Sequence, residues 1–151
     1  MELEKIELRV EDEDGSVNVE TLWAFNLGDD TYQLDNSPFY AYGVSIGDIV
    51  QADPVTGDAF PIFRCVIKKS GNKTIRIIFH HPVEKGNPSE AVLNRLTALG
   101  CSYEGANKIY VAVTIPTEVD LVAICGYLQQ EHDLQWEHAD PTYEELYPDS
   151  H

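Results

Sequence analysis

The sequence predicts an α+β protein. Residues 1–72 read as a small antiparallel β barrel or sandwich-like half, 73–138 as a ferredoxin-like (βαββαβ) half, and 139–151 as an acidic, aromatic tail. Three observations carry this. The first half is made of short apolar/polar alternations separated by Gly, Pro, Asn and Asp, the signature of strands and turns. The second half changes rhythm, with two helical stripes set between strand-like runs. The chain has 151 residues and 43% hydrophobic content, enough to bury a core.

In the first half, Ile6, Leu8 and Val10 alternate with charged residues, as on a half-buried strand. Residues 11–15 form a charged turn, and 17–25 a second strand ended by 26–30. Extended segments follow at 32–34, 39–44 and 48–52, with Gly43, Gly47, Pro54 and Gly57 between and after them. Residues 60–69 form the longest strand of this half, closed by Ser70-Gly71-Asn72.

In the second half, residues 74–80 form a strand. Asn87 is placed to cap a helix, with Pro88 at its first position and Glu90 spaced to reach back to the cap amide. Val92, Leu96 and Leu99 make its apolar stripe, and Gly100 suits the residue after its end. A short strand at 102–105, a turn at Asn107 and a strong strand at 109–115 follow. Thr117 is expected to cap the second helix, with Glu118 and Asp120 in its first turn. Its inward residues are Leu121, Cys125 and Leu128, with Val122 and Ile124 beside them. Residues 134–138 make the last strand. Ile75, Ile77, Phe79, Ile109, Val111 and Val113 are expected beneath the helices, with Arg76, Ile78 and His80 on the opposite face. In the tail, Thr142 and Glu145 have capping-box spacing, which predicts a helical turn over 143–147.

Ten Lys and Arg against 26 Asp and Glu give a formal charge of −16. That field repels phosphate backbones and anionic bilayers, so nucleic acid and membrane are poor partners and a basic protein a better one. Three dispersed cysteines, Cys65, Cys101 and Cys125, form no CxxC pair and argue against a disulfide framework or structural zinc. The start of the chain has no basic, then apolar, leader pattern, and no run reaches membrane-spanning length. These features suggest a cytoplasmic protein, monomeric or weakly oligomeric.

Residues 20–76 carry a family resemblance. The anchors are Glu20-Thr21-Leu22-Trp23-Ala24, Leu27-Gly28, Tyr32-Gln33-Leu34-Asp35-Asn36, Ser37-Pro38-Phe39, Gly47-Asp48-Ile49-Val50 and Ser70-Gly71-Asn72-Lys73-Thr74-Ile75-Arg76. Together they resemble a bacterial family catalogued as domain of unknown function 4265. The resemblance implies a fold and a lineage, and carries over no catalytic residue. Physically, Pro38 keeps Ser37 extended and presents Phe39. Asp48 stands in a turn where it can bond backbone amides. Trp23 is expected to cap a barrel core.

Chemistry-bearing motifs are sparse. His80 and His81 are adjacent on a strand end, so their side chains diverge and chelate poorly. His132 and His138 lack the helical spacing of zinc pairs. Cys101 and Cys125 fit small buried hydrophobes. No nucleophile elbow, zincin, phosphate-loop or dinucleotide motif occurs. No catalytic residue, metal site or cofactor is therefore assigned.

Two functions compete. One is a non-catalytic acidic module that covers a basic protein, in its most concrete form an immunity or antitoxin protein on a nuclease-like toxin. After Lys108 there is no Lys or Arg, while nine acids follow. The expected contact residues are Trp136, Glu137, Asp140, Tyr143, Glu144, Glu145 and Tyr147, with acids to steer and aromatics to anchor. A solvated face serving solubility is the plainer explanation of the same pattern. The alternative is a small enzyme or ligand sensor with a pocket between the halves, its polar candidates being Asp48, Arg64, Arg76, His80 and His81. Arg64 and Arg76 could pair there with Asp48 or with an anion.

Overall fold

The computed structural model describes residues 2–149. It is a mixed α+β protein dominated by antiparallel pairing. The chain divides into two compact units, residues 1–72 and 73–151.

The first unit contains β1 (Leu3–Glu11), β2 (Val17–Gly28), β3 (Thr31–Leu34), β4 (Ile49–Asp53) and β5 (Ile62–Lys68). Successive strands pair antiparallel, and β1 meets β5 in parallel, which closes a barrel. Strict alternation fills it. Ile6 and Leu8, Leu22 and Ala24, Tyr32 and Leu34, and Val50 and Ala52 point inward and are buried. The same alternation sends Trp23 outward, where it is 42% exposed. It does not cap the core, because its neighbours Leu22 and Ala24 already take the inward positions. The β1–β5 closure is slight: one residue pair, Glu7 with Ile62, supported by the Glu7 N–H donating to the Pro61 carbonyl at 2.8 Å.

Residues 39–44 form no strand but part of the irregular connection from β3 to β4. Their backbone is satisfied by a side chain. The buried carboxylate of Glu20 on β2 accepts from the N–H groups of Phe39, Tyr40 and Ala41. Asp48 organises the end of this connection. It is fully buried and accepts from the Ser45 and Ser70 N–H groups at 2.9 and 2.8 Å, and from Lys69 Nζ at 2.6 Å. Gly47 has φ +86°, and a Cβ there would lie 3.0 Å from Ser70 Cβ, so this turn needs glycine twice over.

The second unit runs β6 (Lys73–Phe79), α1 (Pro88–Ala98), β7 (Ser102–Gly105), β8 (Tyr110–Ile115), α2 (Leu121–Gln129), β9 (Leu134–Asp140) and α3 (Tyr143–Leu146). The sheet order is β7-β8-β6-β9, antiparallel throughout. Ile75, Ile77, Phe79, Val111, Val113 and Ile115 share one cluster with Val92, Leu93 and Leu96 of α1 and Ile124 and Leu128 of α2. Both helices therefore cover the same face.

Asn87 caps α1, its side chain accepting from the Glu90 N–H at 3.0 Å. Glu90 does not reach the cap amide; its carboxylate accepts from the Gly86 N–H instead, at 3.0 Å. The cap of α2 is Asp120, not Thr117, and its side chain accepts from the Val122 N–H. Residues 116–119 form a turn instead, with the Val119 N–H donating to the Pro116 carbonyl at 3.0 Å and the Val119 side chain packed against the core. Val122 lies off the stripe of Ile124, Cys125 and Leu128 and is exposed. Ile109 is also exposed, in the turn before β8 where Asn107 Oδ1 accepts its N–H.

Cys101 and Cys125 are buried and Cys65 is exposed, all as free thiols. Burial pushes the Cys101 thiol up to about 11. A thiol reagent should therefore label one cysteine in the folded protein and three after denaturation. Fewer than three after denaturation without reductant would contradict the free-thiol assignment.

Candidate functional site

The acidic end of the chain is built on β9 and the turn that follows it. β9 is an edge strand, bonded on one side to β6. Side chains alternate along it, so Trp136 and His138 share a face while Glu137 points the other way. Thr142 and Glu145 form the capping box of α3: the Thr142 hydroxyl accepts from the Glu145 N–H at 3.2 Å, and Glu145 Oε1 accepts from the Thr142 N–H at 3.1 Å. That short helix folds back so that Tyr143 and Tyr147 stand 5.0 Å apart, each 6.2 Å from His138. Trp136 meets His138 edge-on at 5.0 Å. The result is a four-ring cluster with half-exposed tyrosines and exposed Glu144 and Glu145 beside them.

The seven expected contact residues thus have different surroundings. Tyr143, Tyr147, Glu144 and Glu145 are exposed. Trp136 is half-buried against the core beneath the helices. Glu137 accepts from Arg76 Nε at 3.0 Å, and Asp140 is buried. Glu137 is therefore tied to the sheet while still partly on the acidic surface, and Asp140 lies in the interior.

Desolvation holds the His138 imidazole below its ordinary value of 6.5, favouring the neutral ring among the aromatics. The charged form is favoured more in the unfolded chain. The stability that this ring contributes is thus present above pH ~6.5 and is lost as pH falls from there through the lower folded value. A nuclear magnetic resonance titration should place its midpoint below 6.5. A midpoint at or above that value would overturn this account of its environment.

The five polar candidates for a pocket fall in different settings. Asp48 is committed to the turn described above, with Lys69 rather than an arginine as its ionic partner. Arg64 is exposed, 3.8 Å from the Asp53 carboxylate, a contact of little energetic weight. Arg76 is 1% exposed and bonds Glu137, which is 46% exposed. His80 and His81 are exposed. Among the described residues, no group of three or more His, Cys, Asp or Glu is arranged to hold a metal ion.

A cleft in the barrel escaped the sequence reading. Glu4, Lys5, Trp23, Tyr32, Phe60 and Pro61 line a space of about 450 Å³. Lys5 Nζ lies 5.0 Å from the Trp23 ring centre and 5.9 Å from that of Phe60. Trp23 carried a signal, as a large aromatic at a position that alternation turns outward. Phe60 did not, because it lies in a loop.

These features define a mixed α+β protein dominated by antiparallel pairing. The sequence profile of a domain of unknown function (DUF4265) matches residues 20–139, and the chain belongs to that family. Comparison with curated proteins finds no match. Among solved structures, the fold is similar to one described as "Novel crystal structure of a hypothetical protein from Neisseria gonorrhoeae". The TM-score is 0.78 at 20% identity, covering 95% of this chain and 98% of that one. At that identity the similarity concerns the fold. No helix among the described residues is long and apolar enough to cross a membrane.

Proposed function

We propose that this is a non-catalytic acidic module that binds a basic protein through its C-terminal acidic, aromatic face. Its most specific form is a cytoplasmic bacterial immunity or antitoxin protein that neutralises a nuclease-like toxin. In the same reading the first unit is a small barrel scaffold and the second a ferredoxin-like split βαβ platform, for which the order β7-β8-β6-β9 speaks. The observation that carries the proposal is the exposed pair Tyr143 and Tyr147, their rings tilted together at 5.0 Å and flanked by Glu144 and Glu145. Ring contacts set these anchors in place, which lowers the entropy lost on binding. Acids around them steer a cationic partner.

The test is binding kinetics against a basic nuclease-like protein, sought first among the products of the neighbouring genes. The clean charge variants are Glu144→Gln, Glu145→Gln and Asp149→Asn together, because Glu137 and Asp140 also serve the fold. Glutamine at 145 keeps an oxygen for the capping box. Association should slow by about tenfold at low salt, with dissociation little changed, and the difference should shrink as salt rises. Tyr143→Ala should instead speed dissociation, at a cost of about 2 kcal/mol. An association rate indifferent to both salt and these charges would leave the acidic face as a solubility feature. The absence of any toxin gene in the neighbourhood would remove the immunity form of the proposal.

A further inference from the structure

The barrel seam holds a second, independent candidate. β1 and β5 are joined at Glu7 and Ile62. Toward the start of β1 the two edges part, and the cleft beside Glu4 and Lys5 opens there. Because the sheet is interrupted, side chains of both faces reach the same space. Lys5 and Trp23 are cross-strand partners on the outer face. Glu4 and Tyr32 come from the inner alternation. Phe60 and Pro61 form the far wall.

We propose that this cleft binds a free amino acid with an apolar side chain, in its zwitterionic form. The chemistry follows from four features. Its volume, about 450 Å³, lies in the range of small-molecule sites. Two aromatic rings and a proline offer a flat apolar body somewhere to stack. One ammonium and one carboxylate stand at the same opening. No ion pair of the described residues uses Lys5; its ammonium rests over the rings of Trp23 and Phe60. A lysine stem has four rotatable bonds, so the ammonium can swing off the rings to meet a ligand carboxylate.

Glu4 supplies the opposite charge, oriented by the Asn26 amide, which donates to its Oε2 at 2.9 Å. Tyr32 also lines the cleft, and burial, with Glu4 and Asp30 nearby, pushes its hydroxyl above the ordinary value, so it stays a protonated donor. Net charge decides between ligand classes. At −16, the protein repels a simple aryl anion, whereas a zwitterion is neutral and indifferent to that field. A simple aryl cation could pair with Glu4 but would bring no carboxylate to the Lys5 ammonium beside it.

This reading does not depend on the C-terminal face, and its test touches only the first unit. The probes are L-phenylalanine, 3-phenylpropionate, phenethylamine and N-acetyl-L-phenylalanine. Binding is followed by two-dimensional amide spectra of the intact protein. L-Phenylalanine should shift amides around Lys5, Trp23 and Phe60. Removing either ligand charge should weaken binding by about tenfold. Lys5→Met should abolish the preference for L-phenylalanine over phenethylamine. Glu4→Gln should abolish its preference over 3-phenylpropionate. The probe series on the unaltered protein stands alone if a variant folds poorly. The proposal is overturned if L-phenylalanine produces no shifts at the cleft, if N-acetyl-L-phenylalanine binds equally well, or if both variants keep the unaltered ranking.

Discussion

Asp48→Ala should destabilise the barrel by about 4 kcal/mol, the largest single effect expected from a polar residue here. The carboxylate is fully buried and accepts from two backbone N–H groups and one ammonium. Alanine leaves the Ser45 and Ser70 N–H groups without their acceptor and removes the ionic partner of Lys69. Each charge-assisted bond contributes about 1.5–3 kcal/mol, and the two amides cannot turn toward water without opening the connection. Asp48→Asn keeps one accepting oxygen but turns its NH2 toward the donors of the other and loses the charge that holds Lys69, so it should lose about half as much stability as alanine. Lys69→Met should cost less, about 2 kcal/mol, because the carboxylate keeps both backbone bonds. Asp53→Ala should cost roughly 0–0.5 kcal/mol, as its contact with Arg64 is exposed and long. Urea unfolding ranks the series, and amide exchange at Ser45 and Ser70 gives the local readout. An Asp48→Ala protein within about 1 kcal/mol of its parent would show that this carboxylate does not organise the turn.

The contrast between Asp48 and the helix caps shows what the sequence makes legible. A cap is a local device: Asn87 followed by Pro88, or Thr142 three residues before Glu145, can be read without knowing the rest of the fold. The sequence also placed Asp48 in an amide-binding turn, since the Gly47-Asp48 pair is local. What it could not place was Lys69, 21 residues away, as the ionic partner. Arginines were the wrong choice because their partners were decided by strand register. Arg76 sits opposite Glu137 in the β6–β9 ladder, 61 residues distant. Similarly, Thr117 and Asp120 are both good cap residues, and spacing alone does not choose between them; Asp120 is the cap that forms.

The candidate surfaces divide in the same way. The acid-rich, base-free end after Lys108 is a composition signal and was visible at once. Its organisation into rings around His138 depends on α3 folding back onto β9, a contact set by the tertiary fold. That organisation separates exposed Tyr143 and Glu144 from Glu137 and buried Asp140, which the sequence had treated as equals. The barrel cleft was less legible still. Lys5 and Trp23 become neighbours through β1–β2 register, and Phe60 joins them only through chain closure.

Glu20→Ala should release the connection over residues 37–44 and cost about 3 kcal/mol. Glu20 stands on β2 at a position where alternation points it inward, and it is 7% exposed. Its carboxylate accepts from three consecutive N–H groups, those of Phe39, Tyr40 and Ala41. A segment that forms no strand would otherwise have to find solvent for these donors. One carboxylate thus takes the place of a strand neighbour, which explains why apolar residues read as extended in sequence run here as an irregular, ordered loop. Glu20→Gln keeps one oxygen and should lose about half as much stability as alanine. Amide exchange separates a local clamp from a general packing residue. If Glu20 clamps the loop, protection falls first at Phe39, Tyr40 and Ala41, while Leu8 and Val50 in the barrel core exchange near the parental rate under mild conditions. Uniform loss across the barrel, or unchanged protection at the three amides, would reject the clamp.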